Sequence, residues 1–163
     1  MRIRELPTRL AVVAALGAVV TGATATSAQA APTYWKFRNH ATGKCLTAGT
    51  GTKAYMANCS GSTYQQWDWV GSTFYKQVKN RATGRCLVTD YKTNVNAVWT
   101  GTCKSVRGQR WRYFGNTNMF YNEGNGSNFA LRTTTGSASA VYTCYYTGCH
   151  GWGTYLEWTG THN

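Results

Sequence analysis

Acidic side chains are scarce in this sequence, which has five Asp and Glu residues against seventeen Lys and Arg residues in 163 positions. Glycoside hydrolysis usually requires a pair of carboxyl groups. Beyond residue 30, only Asp68, Asp90, Glu123 and Glu157 could supply them. The histidines have no nucleophile motif such as Gly-x-Ser-x-Gly beside them. We therefore expect that the chain is not an enzyme and requires no cofactor.

Leucine is also rare, and no segment has apolar residues at the 3.6-residue spacing of an amphipathic helix. Gly, Thr, Ser and Asn are abundant instead, and they separate short aromatic or β-branched segments such as residues 34–38 and 97–99. Segments of this kind are typical of short strands between turns. The composition thus predicts an all-β fold.

Long apolar runs are absent except near the N-terminus. Residues 10–20 form a run that is shorter than the roughly 20 residues needed to cross a bilayer. This run follows a basic start and precedes Ala-Gln-Ala at residues 28–30, a small-x-small pattern typical of signal peptidase sites. We therefore expect residues 1–30 to be a signal peptide. Residues 31–163 are expected to be secreted as a single domain, without a membrane span.

The excess of basic residues persists after the expected cleavage. Three basic residues and one acid lie in residues 1–30, which leaves residues 31–163 with a formal charge of +10. A surface this basic favours acidic partners, although it also promotes solubility. Nucleic acid is not the expected partner, because no RNA-binding or helix-turn-helix motif is present.

The six cysteines all lie beyond residue 30 and have no evident metal-binding spacing. An even number in an exported chain predicts disulfide bonds, although six cysteines allow 15 pairings. Zinc coordination is the alternative, but the spacings do not form two Cys-x-x-Cys pairs. No metal site is therefore expected at these residues, which are Cys45, Cys59, Cys86, Cys103, Cys144 and Cys149.

An internal repeat is the clearest pattern in the sequence. Residues 38–46 read Arg-Asn-His-Ala-Thr-Gly-Lys-Cys-Leu, and residues 79–87 read Lys-Asn-Arg-Ala-Thr-Gly-Arg-Cys-Leu, with six of nine positions identical. Farther along the chain, Gln-x-Trp occurs at residues 65–67 and again, 44 residues later, at residues 109–111. Two matches in the same order indicate repeated structural units.

A third copy is more divergent but can still be aligned. Leu131 occupies the position of the leucine after the first cysteine, and Cys144 lies fourteen residues after Ala130, which replaces that cysteine. Leu156 and Trp158 stand where the other copies have Gln and Trp. None of these units could bury its apolar face alone, so all three are expected to share one core. The copies extend over residues 34–71, 75–115 and 119–160.

The repeat also predicts which cysteines pair. The two complete copies each contain two cysteines, and the third retains only the second of the pair, which leaves it to pair with the remaining cysteine. A disulfide that closes one of the longer loops stabilises the fold by about 3 kcal/mol in the chain-entropy model. The predicted bonds are Cys45–Cys59, Cys86–Cys103 and Cys144–Cys149.

These three units, each with Cys-Leu, a second Cys and Gln-x-Trp, resemble the ricin B-type β-trefoil lectins from residue 35 to residue 158. The resemblance implies a β-trefoil of three pseudo-symmetric repeats whose tryptophans pack in a central core. It also implies that each Gln of the Gln-x-Trp segments holds the neighbouring backbone by hydrogen bonds. The structural residues assigned in this way are Trp67, Trp111, Trp158, Gln65 and Gln109.

The sugar pocket of that family has an Asp two residues after the first Cys, an aromatic residue two before the second Cys, and an Asn before Gln-x-Trp. The Asp position here holds Thr47, Val88 and Arg132 in copies one to three. The aromatic position holds Ala57, Gly101 and Tyr142, and the Asn position holds Tyr64, Gly108 and Tyr155. Only Tyr142 keeps the residue type of the family. Sugar binding in the usual manner is therefore not expected.

Two aromatic-rich segments could bind a glycan at a shifted site. An aromatic ring stacks on the apolar face of a sugar, while acceptors such as Asp90 bond to its hydroxyl groups. The alternative is that these side chains pack the core. Tyr145, Tyr146 and Tyr155 add to the aromatic density of copy three. The candidate ligand-binding residues are Asp90, Tyr91, Asn94 and Trp99 in copy two, and Tyr142 and Trp152 in copy three.

The sequence thus predicts a secreted, lectin-like module that binds a glycan or polysaccharide at a non-standard site. The alternative is a protein-binding β-trefoil with decayed sugar pockets. Such an adaptor or inhibitor would join another secreted protein, for example a lectin or a toxin. Tyr, Trp and Arg are enriched at protein interfaces, which agrees with this alternative.

The disulfide assignment predicts that the intact protein has no reactive thiol. Alkylation of the denatured but unreduced protein should leave its mass unchanged, because oxidised sulfur is not a nucleophile. The same protein after reduction should gain six adducts, one for each cysteine. Two or more adducts before reduction would contradict the assignment and restore the metal-binding alternative.

Overall fold

The computed structural model describes residues 33–124, 129–134 and 139–162, and it is built from short strands. Four short 3-10 turns occur at Thr63–Gln65, Arg107–Gln109, Tyr146–Gly148 and His150–Tyr155. No helix in these described ranges is long and apolar enough to span a membrane. The expected signal peptide lies outside the described residues. The prediction of an all-β fold is confirmed by twelve strands: β1 (Trp35–Asn39), β2 (Cys45–Ala48), β3 (Ala54–Ala57), β4 (Trp67–Val70), β5 (Gln77–Asn80), β6 (Cys86–Thr89), β7 (Val95–Gly101), β8 (Trp111–Phe114), β9 (Met119–Asn122), β10 (Phe129–Arg132), β11 (Tyr142–Tyr145) and β12 (Trp158–His162).

Six of the strands close into a barrel. Antiparallel pairing joins β12 to β1, β1 to β4, β4 to β5, and β8 to β9. Two isolated bridges complete the circle, one between Lys76 and Trp111 and one between Met119 and Glu157. The first bridge joins β5 to β8, and the second joins β9 to β12. Closure removes the free edges that an open sheet of this size would present.

The other six strands form one hairpin per copy, namely β2–β3, β6–β7 and β10–β11. Each hairpin lies between the two barrel strands of its own copy. Because β1, β5 and β9 run in the same direction, all three hairpins follow the same end of the barrel. This arrangement of barrel and cap, repeated three times, is the β-trefoil that the sequence predicts.

The three repeated tryptophans occupy equivalent positions in the core. Trp67, Trp111 and Trp158 are each 0 % exposed. Each indole N–H donates to the backbone carbonyl of the leucine after the first cysteine position in its own copy. The donor–acceptor distances are 3.1 Å from Trp67 to Leu46, 2.8 Å from Trp111 to Leu87 and 2.9 Å from Trp158 to Leu131. A buried indole N–H without such an acceptor would carry a desolvation cost.

Three buried asparagines form a second threefold set, which the sequence analysis did not assign. Asn39, Asn80 and Asn122 end the strands β1, β5 and β9, and each is 0 % exposed. Each side-chain amide donates to the carbonyl of the residue that precedes a core tryptophan. The acceptors are Glu157 for Asn39 at 3.0 Å, Gln66 for Asn80 at 3.2 Å and Arg110 for Asn122 at 3.0 Å.

The glutamines of the Gln-x-Trp segments hold the backbone after each hairpin. Gln65 donates to the Asn58 carbonyl at 2.9 Å and accepts from the Ser60 N–H at 2.7 Å. Gln109 makes the same pair of bonds one copy later, with the Thr102 carbonyl and the Lys104 N–H. Leu156 replaces this glutamine in copy three and is buried against Cys144 and Cys149.

The structure contains the three disulfides that the repeat assigns. Cys45–Cys59 and Cys86–Cys103 connect residues 14 and 17 positions apart within their own copies. Cys144–Cys149 connects residues only 5 positions apart. Each bond therefore lies inside one copy and does not join copies to one another.

The buried asparagines predict a stability test. Replacing Asn80 with Ala removes the donor to the carbonyls of Tyr64 and Gln66, and the acceptor of the Thr83 N–H, inside a closed environment. A buried group that loses its partner costs about 1–3 kcal/mol. We therefore expect N80A to lower the free energy of unfolding by about 3 kcal/mol in urea denaturation.

The control variant is N116A, which changes an exposed asparagine in the turn between β8 and β9. Exposed substitutions of this kind usually change stability by less than about 0.5 kcal/mol. Equal effects of N80A and N116A would show that the buried asparagine has no structural role.

Candidate functional site

Copy one contains a pocket at the position of the family's sugar pocket. The cavity has a volume of about 270 Å³. Its wall includes Thr47, Ala57 and Tyr64, the residues at the Asp, aromatic and Asn positions. Because Ala57 is small, the space that an aromatic ring would take at that position remains open.

Two tyrosine rings stand at this pocket. Tyr55 lies opposite Thr47 in the β2–β3 hairpin, and Tyr64 lies in the 3-10 turn Thr63–Gln65. Ser62 caps that turn by accepting a hydrogen bond from the Tyr64 N–H. Each tyrosine is 36 % exposed, so part of each ring is available to a ligand.

The polar groups around the two rings are neutral. Ser60, Ser62, Thr50 and Asn58 contribute to the wall. Thr47 is held in place because its hydroxyl donates to the Cys45 carbonyl at 2.9 Å and accepts from Gln65 at 3.1 Å. The pocket thus combines aromatic faces with hydroxyl and amide groups.

In the equivalent region of copy two, the chain packs closely around Gly101 and Gly108. Val88 and Trp99 lie opposite each other in β6 and β7, and Gly101 follows on the same face. A Cβ atom added to Gly101 would lie 3.3 Å from Val88 and 3.8 Å from the Trp99 indole nitrogen. At Gly108, an added Cβ atom would overlap the Thr89 carbonyl oxygen. An asparagine therefore does not fit there without a backbone shift.

In copy three a buried cation occupies the position of the family's aspartate. Arg132 is 6 % exposed and lies opposite Tyr142 in the β10–β11 pair, with its guanidinium carbon 5.6 Å from the ring centre. Its side chain also donates to the Thr133 carbonyl at 3.2 Å. Burial lowers the pKa of Arg132, and the nearby Tyr142 opposes this shift. Since arginine stays protonated, this site offers donors where the family offers an acceptor.

The candidate residues of copy two form separate contacts with their neighbours in the structure. Asp90 pairs with Lys92 at 3.8 Å. Tyr91 adopts a left-handed backbone conformation, with φ of 43°, and its side chain packs beside Gly108 and Gly124. Asn94 is exposed, and its carbonyl accepts from the Tyr145 N–H at 2.9 Å. Trp99 is half-buried, and the side chain of Trp152 lies outside the described part of the chain.

The acidic side chains beyond residue 30 each lie beside a basic one. Three of these pairs follow the threefold repeat, because one member comes directly after Asn39, Asn80 or Asn122. They are His40–Glu157 at 3.0 Å, Arg81–Asp68 at 2.8 Å and Arg110–Glu123 at 3.0 Å. Together with Asp90–Lys92, these contacts account for all four acids beyond residue 30, and each recorded pair in the described residues joins an acid to a basic side chain.

Sequence reasoning missed the pocket of copy one. Tyr64 occupies the Asn position of the family pattern without matching it, and Tyr55 lies two residues before the aromatic position. The signal in the sequence was the pair of tyrosines flanking small and hydroxyl-bearing residues between positions 47 and 64. What the sequence did not show is that Ala57 leaves the space between them open.

Comparisons with solved structures show the same fold. A designed three-fold symmetric protein, ThreeFoil, is 21 % identical, with a TM-score of 0.65, and the match covers 78 % of this chain and 97 % of that one. A ricin B-like lectin from Macrolepiota procera, solved in complex with lactose, is 16 % identical, with a TM-score of 0.62 and coverage of 79 % and 94 %. An exo-β-1,3-galactanase from Clostridium thermocellum is 20 % identical, with a TM-score of 0.66, but the match covers 81 % of this chain and 30 % of the enzyme.

Comparisons at the level of sequence agree with the fold. The search of curated proteins gives no significant match. The family model for the ricin-type β-trefoil lectin domain matches residues 33–158, which include the three core tryptophans and all three disulfides. This chain belongs to the ricin-type β-trefoil lectin domain family.

Proposed function

We propose that this protein is a secreted, non-catalytic carbohydrate-binding module whose sugar site is the pocket of copy one. The observation that carries the proposal is an open cavity of about 270 Å³ between Tyr55 and Tyr64 at the family's sugar position. Its size is close to the lower end of small-molecule pockets, about 300–1,000 Å³. It suits a single sugar ring.

The chemistry of the pocket favours a neutral sugar. A tyrosine ring can cover the apolar C–H face of a pyranose, as aromatic rings do in binding sites. The hydroxyl groups of Ser60, Ser62 and Thr50 can donate and accept, so they match sugar hydroxyls without a charged group. This site lacks the carboxylate acceptor of the family pattern, so we expect weaker binding than an aspartate would give.

The other two copies support the assignment by contrast. In copy two, Val88 and Trp99 lie close to Gly101, and the Thr89 carbonyl leaves no room for an asparagine side chain at position 108. In copy three, the cation Arg132 lies over the Tyr142 ring. The aromatic segments around Trp99 and Trp152 remain candidate secondary contacts for a longer glycan.

Export and the lack of catalysis belong to the same proposal. The disulfides support an oxidising compartment. The pairing of each acid with a base supports a binding role, because a glycosidase would need carboxyl groups that face its substrate.

A glycan array followed by calorimetry tests the sugar site. Lactose belongs among the probes, because the Macrolepiota procera lectin was solved with it. We expect at least one neutral glycan to bind. Y55A and Y64A should each weaken its binding by about tenfold, which corresponds to about 1.4 kcal/mol of lost ring contact. Circular dichroism should show that both variants remain folded, since the two rings are partly exposed.

The matched controls are W99A and Y142A, which remove one aromatic ring from copy two and copy three. Both should bind a ligand of one or two sugar units as tightly as the parent protein, because Trp99 is a candidate contact only for a longer glycan. Loss of binding in W99A or Y142A alone would move the site to that copy. If no glycan binds and a second secreted protein co-purifies in equal amount, the protein-binding alternative replaces this proposal.

A further inference from the structure

A second and larger cavity lies at the end of the barrel opposite the three hairpins. Its volume is about 720 Å³, within the range of small-molecule sites. The wall includes Trp35 at the start of β1, Trp69 and Tyr113 near the ends of β4 and β8, and Phe74 and Lys76 in the connection before β5. The sugar pocket of copy one lies on different elements.

The aromatic wall is held firmly by the core beneath it. Trp35 contacts Trp69 and Tyr113 edge to face, with ring centres 6.4 Å and 6.0 Å away. Phe37 and Phe120 pack against Trp69 from the barrel interior. The indoles of Trp35 and Trp69 are only partly buried, so both can contact a ligand in the cavity.

Hydrogen bonds fix the third ring of this wall. The Tyr113 hydroxyl donates to the Trp158 carbonyl at 2.9 Å and accepts from the Gly160 N–H at 3.0 Å. These two bonds join β8 to β12 across the barrel. The wall is therefore preorganised, which lowers the entropic cost of binding.

Two cations stand at the cavity. The backbone of Lys76 is fixed by a pair of hydrogen bonds with Trp111, at 2.9 Å and 2.7 Å. Arg112 places its guanidinium carbon 3.0 Å from the ring centre of Phe74 and 4.0 Å from that of Phe114. A guanidinium group that contacts aromatic rings still carries its planar set of N–H donors, which can pair with a ligand.

No carboxylate of the described residues neutralises these cations. The four acids beyond residue 30 form their salt bridges with His40, Arg81, Lys92 and Arg110. Lys76 and Arg112 thus add positive charge to a partly enclosed aromatic cavity, where electrostatic attraction is stronger than at an open surface.

We propose that this barrel-end cavity is a second binding site, which takes an acidic saccharide. Its sugar rings would lie against Trp35 and Trp69, and its carboxylate groups would pair with Lys76 and Arg112. Arginine binds a carboxylate through two parallel hydrogen bonds, which fixes the orientation of the ligand. The hydroxyl of Ser72, in the same wall, suits a sugar hydroxyl. The site is independent of the neutral-sugar pocket of copy one.

Nuclear magnetic resonance of the seven indole N–H groups tests this site, with tetragalacturonate as the probe. We expect the Trp35 and Trp69 signals to shift at low salt and the shifts to shrink as salt screens the charges. The fully methyl-esterified tetrasaccharide has the same sugar rings without charge, and it should shift these signals at least tenfold less at equal concentration.

The charge requirement is tested by K76Q and R112Q, with K104Q as the control for loss of an exposed positive charge. Each of the first two should weaken tetragalacturonate binding by at least fivefold, while K104Q should change it less than twofold. Y64A should leave this binding unchanged, so failure here and failure of the sugar pocket in copy one are separate results.

Three outcomes would overturn the proposal. The first is equal binding of the methyl ester, and the second is an equal loss of affinity in K76Q, R112Q and K104Q. The third is tighter binding of a thymidine tetranucleotide at the same indoles, which would assign the cavity to single-stranded nucleic acid.

Discussion

The hydrogen bond from each core indole to a leucine carbonyl is the constraint on which the threefold fold depends. It ties the first barrel strand after each hairpin to the first strand of that hairpin, at 2.8–3.1 Å in all three copies. The buried asparagines then connect neighbouring barrel strands. Asn80 at the end of β5 bonds to the residue before β4, Asn122 at the end of β9 bonds to the residue before β8, and Asn39 at the end of β1 bonds to the residue before β12. Both sets of hydrogen bonds satisfy polar groups in the closed interior of the barrel. Removing a tryptophan or an asparagine would therefore leave a buried backbone carbonyl without its donor.

This division explains why the copies could diverge where a ligand would bind. Each unit contributes one indole, one leucine and one asparagine to the core, and copy three does so although it lacks the first cysteine. The residues at the Asp, aromatic and Asn positions have no role that is common to all three copies, although Thr47 bonds to Gln65 and Gly108 has no room for a side chain beside the Thr89 carbonyl. The Asp and aromatic positions hold different residues in every copy, and the Asn position holds Tyr64, Gly108 and Tyr155. Copy one has an open pocket there, Trp99 lies opposite Val88 in copy two, and Arg132 lies over the Tyr142 ring in copy three.

The fold could be predicted from the sequence because the repeated units keep identical residues at equivalent spacings. Trp67, Trp111 and the paired cysteines were recognisable for this reason. Asn122 was not, since the residues around it in copy three differ from those around Asn39 and Asn80. The two cavities could not be predicted from the sequence for another reason. An open volume depends on the space that neighbouring strands leave empty. Trp69 and Tyr113 lie one repeat apart in the wall of the barrel-end cavity, but Trp35 and Phe74 in the same wall do not follow that spacing.

The placement of the disulfides has a consequence for a chain that has been cut by a protease. Every bridge is enclosed within one copy, and the links at residues 71–76 and 115–118 are crossed by none of them. A protein cleaved at both links would hold together only through strand pairing and the shared core. Under denaturing conditions it would separate into three fragments without any reductant, and each fragment would retain its own bridge.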